Sequence, residues 1–418
     1  MLRLYKVLPA HLEYYLGVTR ERTSGPFYER DGYWREPRAR QADISAVVAG
    51  DRLLGLGRGV DPKTGAVLNR FQRQVQICAL DATFAVPKGV SVLHALGSDR
   101  TREAIEYAQR SSVFEAMDFA DRKIISVRRT TEGVRRASRA LTVSQAVFEH
   151  RTSRSNDPHL HSHVLIPNLA SDDEKVWSAI DLRPLYVHVG LLGSLYRSGL
   201  RHQLSRLLGV RWREIQPGWY DLEGLSPPMI RAFSQRRAEI LREVANLGFA
   251  SHRATEIAAG HSRSARKLVL GYDELLEIWR TRAFRLGISS ARLEEMTGNR
   301  QLPGDERHHR LALEIVRIVS GRDEVKLFEL LRRLADGSRI GSSVLELETS
   351  IDLAVSSRTI PLPRDLWPYG PRGSRVGERV LYQRDVKRTR EISPEGRARG
   401  SFRANLGESL ELRESAHF

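Results

Sequence analysis

The stretch Phe148-Glu149-His150-Arg151-Thr152-Ser153-Arg154-Ser155-Asn156-Asp157-Pro158-His159-Leu160-His161-Ser162-His163-Val164-Leu165-Ile166 decides how the rest of the chain is read. Residues 140–150 are rich in Val, Thr and Phe, and Val164 to Ile166 is an apolar run, so both read as strands. Asn156-Asp157-Pro158 between them is a turn signal, which makes a hairpin the natural connection. Strand residues i and i+2 project to one face, so the imidazoles of His161 and His163 point the same way. His150 ends the preceding strand, across the hairpin, where its ring can join them. Neutral imidazoles grouped on a rigid hairpin make a divalent-metal site with positions left open for substrate. His159 precedes the pair by two residues and competes as a ligand. An isolated His-x-His is also common on solvated strands, so spacing alone leaves both readings open.

Outward from the hairpin, Gln74 to Val86 has a strand pattern closed by Pro87, and Asp81 is the single acid within it. A charge in an apolar strand is costly unless paired. Asp81 is therefore a histidine-orienting or proton-accepting group, or simply a structural hydrogen-bond acceptor. Leu2, Leu4 and Val7 mark a short opening strand, Thr23 to Gly65 reads as loops around short elements, and Ser91 to Leu96 and Thr101 to Ile125 read as helices. Tyr14 and Tyr15 are adjacent phenols near the amino terminus. Tyrosine can attack phosphorus when a cation neutralises the phosphate, whereas the plain reading of such a pair is one core ring and one surface ring.

Beyond Leu185 the period turns helical. Leu200, Leu204, Leu207 and Leu208 are expected on one face, with Gly209 as the stop. Pro227-Pro228 opens a helix expected to run through Ile230, Phe233 and Ile240, and another basic helix is expected from Arg266 to Leu286. Val325, Leu327, Phe328, Leu330, Leu331 and Leu334 define a further amphipathic helix, residues 361–377 read as linker, and the Arg- and Glu-rich remainder as a disordered tail. The expected organisation is a first domain over 1–300, with a helical lid at about 185–286, then a small helical appendage over 301–360 and a basic tail over 361–418.

Composition narrows the function class. A chain of 418 residues holds two or three domains at roughly 150 residues each, and 41% hydrophobic residues are enough for a real core. The formal net charge of +16 points to a polyanionic partner, usually nucleic acid. A single cysteine, Cys78, excludes a disulfide framework and a thiolate zinc site. No stretch approaches the ~20 apolar residues of a membrane span. The start of the chain also lacks an apolar signal core, so a soluble, cytoplasmic protein is expected.

These features occur together in a recognisable order. The chain resembles the catalytic domain of the conjugative relaxases of the TrwC/TraI-like (MobF) class, within the HUH endonucleases. The likeness begins at Glu13-Tyr14-Tyr15-Leu16 and continues through Leu53-Leu54-Gly55-Leu56-Gly57 and Leu80-Asp81-Ala82-Thr83-Phe84-Ala85-Val86-Pro87-Lys88-Gly89-Val90-Ser91-Val92-Leu93. It is most specific over Phe148 to Arg154 and Asp157 to Val164. Trp177-Ser178-Ala179-Ile180-Asp181, Leu185-Tyr186 and Phe233-Ser234-Gln235-Arg236-Arg237-Ala238-Glu239-Ile240 follow in family order. The resemblance implies an α+β fold with a central antiparallel sheet that carries the histidines, flanked by helices.

It implies that His150, His161 and His163 hold one divalent ion, Mg²⁺ or Mn²⁺, with His159 outside the ligand set. Tyr14 is then the nicking nucleophile beside Tyr15, and Asp81 assists the tyrosine or orients a ligand. The implied activity is cutting and rejoining one DNA strand at a transfer origin through a 5′-phosphotyrosyl intermediate. The implied partners are single-stranded and hairpin origin DNA, a separate helicase, an accessory DNA-binding protein and a type IV secretion coupling protein. Arg236, Arg237, Arg266 and Lys267 are candidate phosphate contacts.

Three departures stand out. Val86-Pro87-Lys88-Gly89 replaces the family's Ala-Pro-Lys-Ser, and His159 stands where Gln is frequent. The loop from Gly25 to Arg40 matches poorly, so neither Tyr28 nor Tyr33 is expected to act as a second nucleophile. Third, the sequence contains no Gly-x-x-x-x-Gly-Lys-Ser/Thr loop, so the expectation is a relaxase without its own motor, either truncated or using a helicase in trans. A non-catalytic origin-binding remnant and a rolling-circle replication initiator are the competing readings. The intact histidines and the tyrosines placed ahead of them favour the relaxase.

Overall fold

The histidine hairpin forms as its sequence predicts. In the computed structural model, which describes residues 1–9, 11–12, 32–35, 43–47, 50–61, 64–68, 77–131, 134–140, 143–172, 175–246, 251, 254, 258, 270–298, 311, 313–315, 318, 324–356 and 380–382, the sheet is built on this hairpin. Tyr14, Tyr15, Tyr28, Arg266, Lys267 and most of the expected linker and tail lie outside the described residues.

The strands are β1 Leu2–Val7, β2 Tyr33–Arg35, β3 Asp43–Val47, β4 Ala79–Ala85, β5 Ser126–Thr131, β6 Val134–Arg139, β7 Gln145–Thr152 and β8 Pro158–Pro167. Six of them form one antiparallel sheet in the order β1-β4-β8-β7-β2-β3, while β5 and β6 make a separate ribbon. The β7–β8 turn passes through Asn156 in the left-handed region (φ 56°), which asparagine tolerates better than most residues. Ser153 Oγ accepts from the backbone of Ser155 and Asp157, which satisfies the turn's amides. The strand expected from Gln74 begins at Ala79, and residues 69–76 are outside the described set.

One face of the sheet packs on helices and the other on a shorter cover. On the first, α2 Lys88–Leu96 and α3 Asp99–Lys123 lie behind β8, and α3 runs along α5 Val189–Leu208. On the second, Leu53 and Leu56 of α1 Gly50–Gly57 join Val7, Trp34, Ala146, Phe148 and Leu165 in one buried cluster. Cys78 belongs to this cluster, and burial pushes its thiol up to about 11, so it serves as a small hydrophobe rather than a reactive group. Ser98 caps α3 by accepting from the Thr101 amide, and Asp99 and Arg122 complement the two ends of its dipole.

A short α4 Arg183–Val187 precedes α5, which ends at Gly209 in the left-handed conformation (φ 62°). Leu200, Leu204 and Leu208 are buried along the i, i+4, i+8 stripe, but Leu207 falls off that stripe and is 37% exposed. The region expected to be a helical lid is interrupted by a β-hairpin. Its strands alternate around Pro217-Gly218, with Gly218 at φ 74°. After β9 Ala170–Ser171 and β10 Trp177–Ser178, these strands are β11 Trp212–Gln216 and β12 Trp219–Leu222. The helix opened by Pro227 also ends earlier than expected. It divides into α6 Pro227–Ala232 and α7 Gln235–Asn246, because Phe233 is drawn fully inside and Ser234 Oγ bonds back to the Ile230 carbonyl. α8 Tyr272–Arg285 and α9 Ser290–Glu295 follow.

The chain divides into two compact units, residues 1–301 with 335–344, and residues 302–334 with 345–418. The remaining elements are β13 Glu324–Lys326, α10 Leu327–Gly337, α11 Val344–Ser356 and β14 Val380–Tyr382. Val325, expected in the amphipathic helix, pairs with Leu381 in a strand instead, while Leu327, Leu330, Leu331 and Leu334 are buried. Among the described residues no helix is long and apolar enough to cross a membrane.

Candidate metal centre

His150 and His161 are direct register partners, and His163 is two residues further along the same strand face. Opposed side chains in antiparallel strands approach within about 5 Å, and the three ring centroids are 5.0–5.2 Å apart. Each ring offers one nitrogen, and these nitrogens lie within 4.8 Å of one another. Among the described residues this is the one group of histidine, cysteine or carboxylate side chains that could close on a metal ion.

Hydrogen bonds set which nitrogen two of the rings present. His163 Nδ1 is 2.8 Å from Asp81 Oδ2 and 3.2 Å from Thr83 Oγ1, and the threonine hydroxyl donates to Asp81 Oδ1. Asp81 is 2% exposed, so its charge is held beside the ring rather than in water. With the proton on Nδ1, Nε2 is the nitrogen through which His163 could hold a metal ion. His161 makes the same commitment by another route, donating from Nδ1 to the His159 carbonyl at 2.8 Å. A set of three imidazoles, two with their δ nitrogens already engaged, fits a divalent transition-type ion.

His159 itself stacks on His161, with centroids 4.6 Å apart at 28°. Burial, and then the neighbouring His161, hold its pKa well below the ordinary histidine range. It stands beside the grouped nitrogens and supports the site through its carbonyl oxygen.

The turn of the hairpin is gripped by elements on both sides of it in the chain. Asp157 accepts from the Arg236 backbone amide at 3.0 Å and from Arg282 Nη1 at 3.3 Å. Trp279 Nε1 donates to the Asn156 carbonyl, Ser155 Oγ donates to Glu239, and Lys88 Nζ donates to the Pro158 carbonyl. Arg236, expected at phosphate, sends its side chain 3.2 Å from Glu239, while Arg237 is exposed.

Two sequence departures gain a physical account. The Gly89 amide, at the start of α2, donates to Asp221 Oδ1 at 2.9 Å. A Cβ at position 89 would lie 2.4 Å from that oxygen, so the serine usual in the family would force the Asp221 carboxylate to shift. Tyr33 is buried on the face opposite the histidines, paired with Val147, and its hydroxyl donates to Glu149 at 2.9 Å. Burial and the Glu149 charge raise its pKa well above the ordinary phenol value, so it is no nucleophile for this site. Thr83 went unrecognised in the sequence, although its position two residues after Asp81 in a strand places it on the same face.

A family model described as TrwC relaxase matches residues 10–286. The multifunctional conjugation protein TraI of Escherichia coli strain K12 is 27% identical over 271 residues, 59% of this chain and 15% of its own length. The chain therefore spans about 15% of that curated relative. A metal-bound structure of conjugative relaxase TrwC in complex with oriT DNA aligns with a TM-score of 0.61 at 24% identity, covering 69% of this chain and all of the other. TrwC complexed with a 27-mer DNA comprising the recognition hairpin and the cleavage site gives 0.59 at 23% identity, with the same coverage. At those identities the structural likeness bears on the fold.

Proposed function

The chain belongs to the TrwC relaxase family, and from that premise we propose that it nicks and rejoins one strand of a transfer-origin DNA by tyrosine transesterification. The observation that carries this reading is the grouping of His150, His161 and His163, with His163 fixed by Asp81. In the proposed step the Tyr14 phenolic oxygen forms a bond to the scissile phosphorus. The bond from phosphorus to the 3′ oxygen of the preceding nucleotide breaks, and that oxygen leaves with a proton. One phosphodiester replaces another, so the 3′ hydroxyl can attack in return and restore the strand without an energy source.

A divalent ion held by the three histidines supplies positive charge against the phosphate. The chain's own residues do the rest. Asp81 keeps a proton on His163 Nδ1, which supports the orienting role for this acid over that of base to the tyrosine. The His159 carbonyl does the same for His161. Of the two ions expected, Mn²⁺ accepts an all-imidazole donor set more readily than Mg²⁺. The single-stranded arm and hairpin of origin DNA are the proposed ligands, with Arg236, Arg237, Arg266 and Lys267 as phosphate contacts and the elements within 185–286 closing over the strand. A helicase, an accessory DNA-binding protein and a type IV secretion coupling protein are the further partners proposed for conjugative transfer, in the cytoplasm.

The test is an adduct assay. Incubation with Mn²⁺ and a supercoiled plasmid carrying the neighbouring intergenic DNA yields a denaturant-resistant protein–DNA species, and His161→Ala abolishes it. DNA binding without any adduct on the cognate origin would instead favour the non-catalytic origin binder.

A further inference from the structure

The sheet face turned away from the histidines carries a second polar constellation that takes no part in ligation. Phe84, Ser162 and Glu149 lie opposite one another across β4, β8 and β7. This cross-strand row falls between the two rows that hold the ligands, Ala85–His161–His150 and Thr83–His163–Phe148. Because strand residues alternate faces, the intervening row points back at α3. Gln109 and Arg110 meet it there and Glu106 meets Arg151 beside it, the three spaced i, i+3 and i+4 and so on one face of the helix.

Each of the three makes directional contacts. Gln109 Nε2 donates to Ser162 Oγ at 3.0 Å and to the Phe84 carbonyl at 3.1 Å, while its Oε1 accepts from the Tyr196 hydroxyl at 2.6 Å. Arg110 donates from Nε and Nη2 to the two Glu149 oxygens at 3.1 and 3.0 Å. Glu106 accepts from Arg151 Nη2 and sits 3.0 Å from His94 Nε2. The residues on either side of His150 are thus held by opposite charges one helical turn apart. The residue between His161 and His163 is held by the amide between those charges.

Resting on the metal-site reading above, we propose that Glu106, Gln109 and Arg110 are positioning residues, a clamp behind the sheet that sets the spacing of His150, His161 and His163 for an ion. Buried charges and amides cost more than aliphatic side chains at a helix–sheet contact. The same helix buries aliphatic groups elsewhere, at Ile105, Ala108, Val113 and Ala116. Aliphatic contact is non-directional and lets a helix slide by fractions of an ångström. Hydrogen bonds fix distance and direction, and a metal site needs its ligands held to about 0.5 Å.

The experiment titrates the metal-free 418-residue chain with Mn²⁺, following the ion by electron paramagnetic resonance, at a temperature where circular dichroism shows every variant folded. Wild type and His161→Ala are compared first, and equal affinity in these two removes the metal site and the clamp with it. Gln109→Leu keeps volume and helix propensity and is expected to weaken Mn²⁺ binding about 10-fold or more, the usual effect of losing an outer-shell partner. Ser162→Ala, which deletes only the acceptor, is expected to weaken it in the same direction. Ile105→Val thins the same helix's core contact and is expected to lower the melting temperature without changing the affinity. Wild-type affinity in both Gln109→Leu and Ser162→Ala, or an equal loss in Ile105→Val, overturns the clamp while leaving the ligand assignment standing.

Discussion

Asp81 Oδ2 lies 2.8 Å from His163 Nδ1, across the β4–β8 pair in which Thr83 is the register partner of His163. The acid reaches diagonally to the ring two register pairs along, with Thr83 filling the corner between them. Asp81→Asn keeps the shape but removes the charge that favours a proton on Nδ1. Mn²⁺ affinity is expected to fall about 10-fold, and Asp81→Ala toward 100-fold. Isothermal titration measures it, and an unchanged Kd in both variants would make Asp81 a structural acceptor alone.

The histidines separate by role. His150→Ala, His161→Ala and His163→Ala are each expected to abolish Mn²⁺-dependent nicking with the far-ultraviolet spectrum retained. His159→Ala removes a stacked ring but leaves its carbonyl, so nicking is expected to persist. Loss of nicking in His159→Ala alongside an active His150→Ala would reverse the ligand assignment.

Lys88 gives the account a pH signature. Burial pushes its pKa down from 10.5 to about 8. Between those values the unfolded chain holds a proton that the folded one has released, so the Lys88 contribution to stability rises with pH across that window. Below about pH 8 both states are protonated and the cost of the buried charge is present in full. Lys88→Met is therefore expected to be most favourable relative to wild type near pH 7, with the advantage shrinking toward pH 10. Melting curves at several pH values check this, and a constant difference would show that Lys88 does not titrate as described.

Gly89 and Asp221 are expected to be energetically coupled. Gly89→Ala places a methyl against the Asp221 carboxylate and is expected to cost about 1–3 kcal/mol. Added to Asp221→Ala, the same change is expected to cost far less, because the obstructing oxygens are gone. Denaturant unfolding of the four proteins gives the cycle, and additive effects would show that the neighbourhood relaxes freely.

What the sequence disclosed follows from which rules act locally. The alternation of a strand is enough to place His161 beside His163, and the turn signal at Asn156 brings His150 opposite His161. Asp81 stood out because a lone acid in an apolar strand needs a partner. By contrast, Glu106, Gln109 and Arg110 sit in a 25-residue helix with charges scattered around it, where they read as an ordinary solvated face. Only the packing of α3 on the sheet reveals Glu106 and Gln109 as buried and Arg110 as half-buried. The β11–β12 hairpin was missed because short alternation between Trp212 and Leu222 was outweighed by helical periods on both sides. The break at Phe233 likewise depends on a core ring finding its place, which no local propensity records.

The most direct measurement is peptide mapping of the covalent adduct formed on the protein's own origin DNA in the presence of Mn²⁺. The account predicts DNA linked through a 5′ phosphate to Tyr14, absent in Tyr14→Phe and in His161→Ala, and largely retained in Tyr15→Phe and Tyr33→Phe. DNA on Tyr15, Tyr28 or Tyr33 would contradict the nucleophile assignment, and an adduct formed equally well by His161→Ala would contradict the role given to the histidine centre.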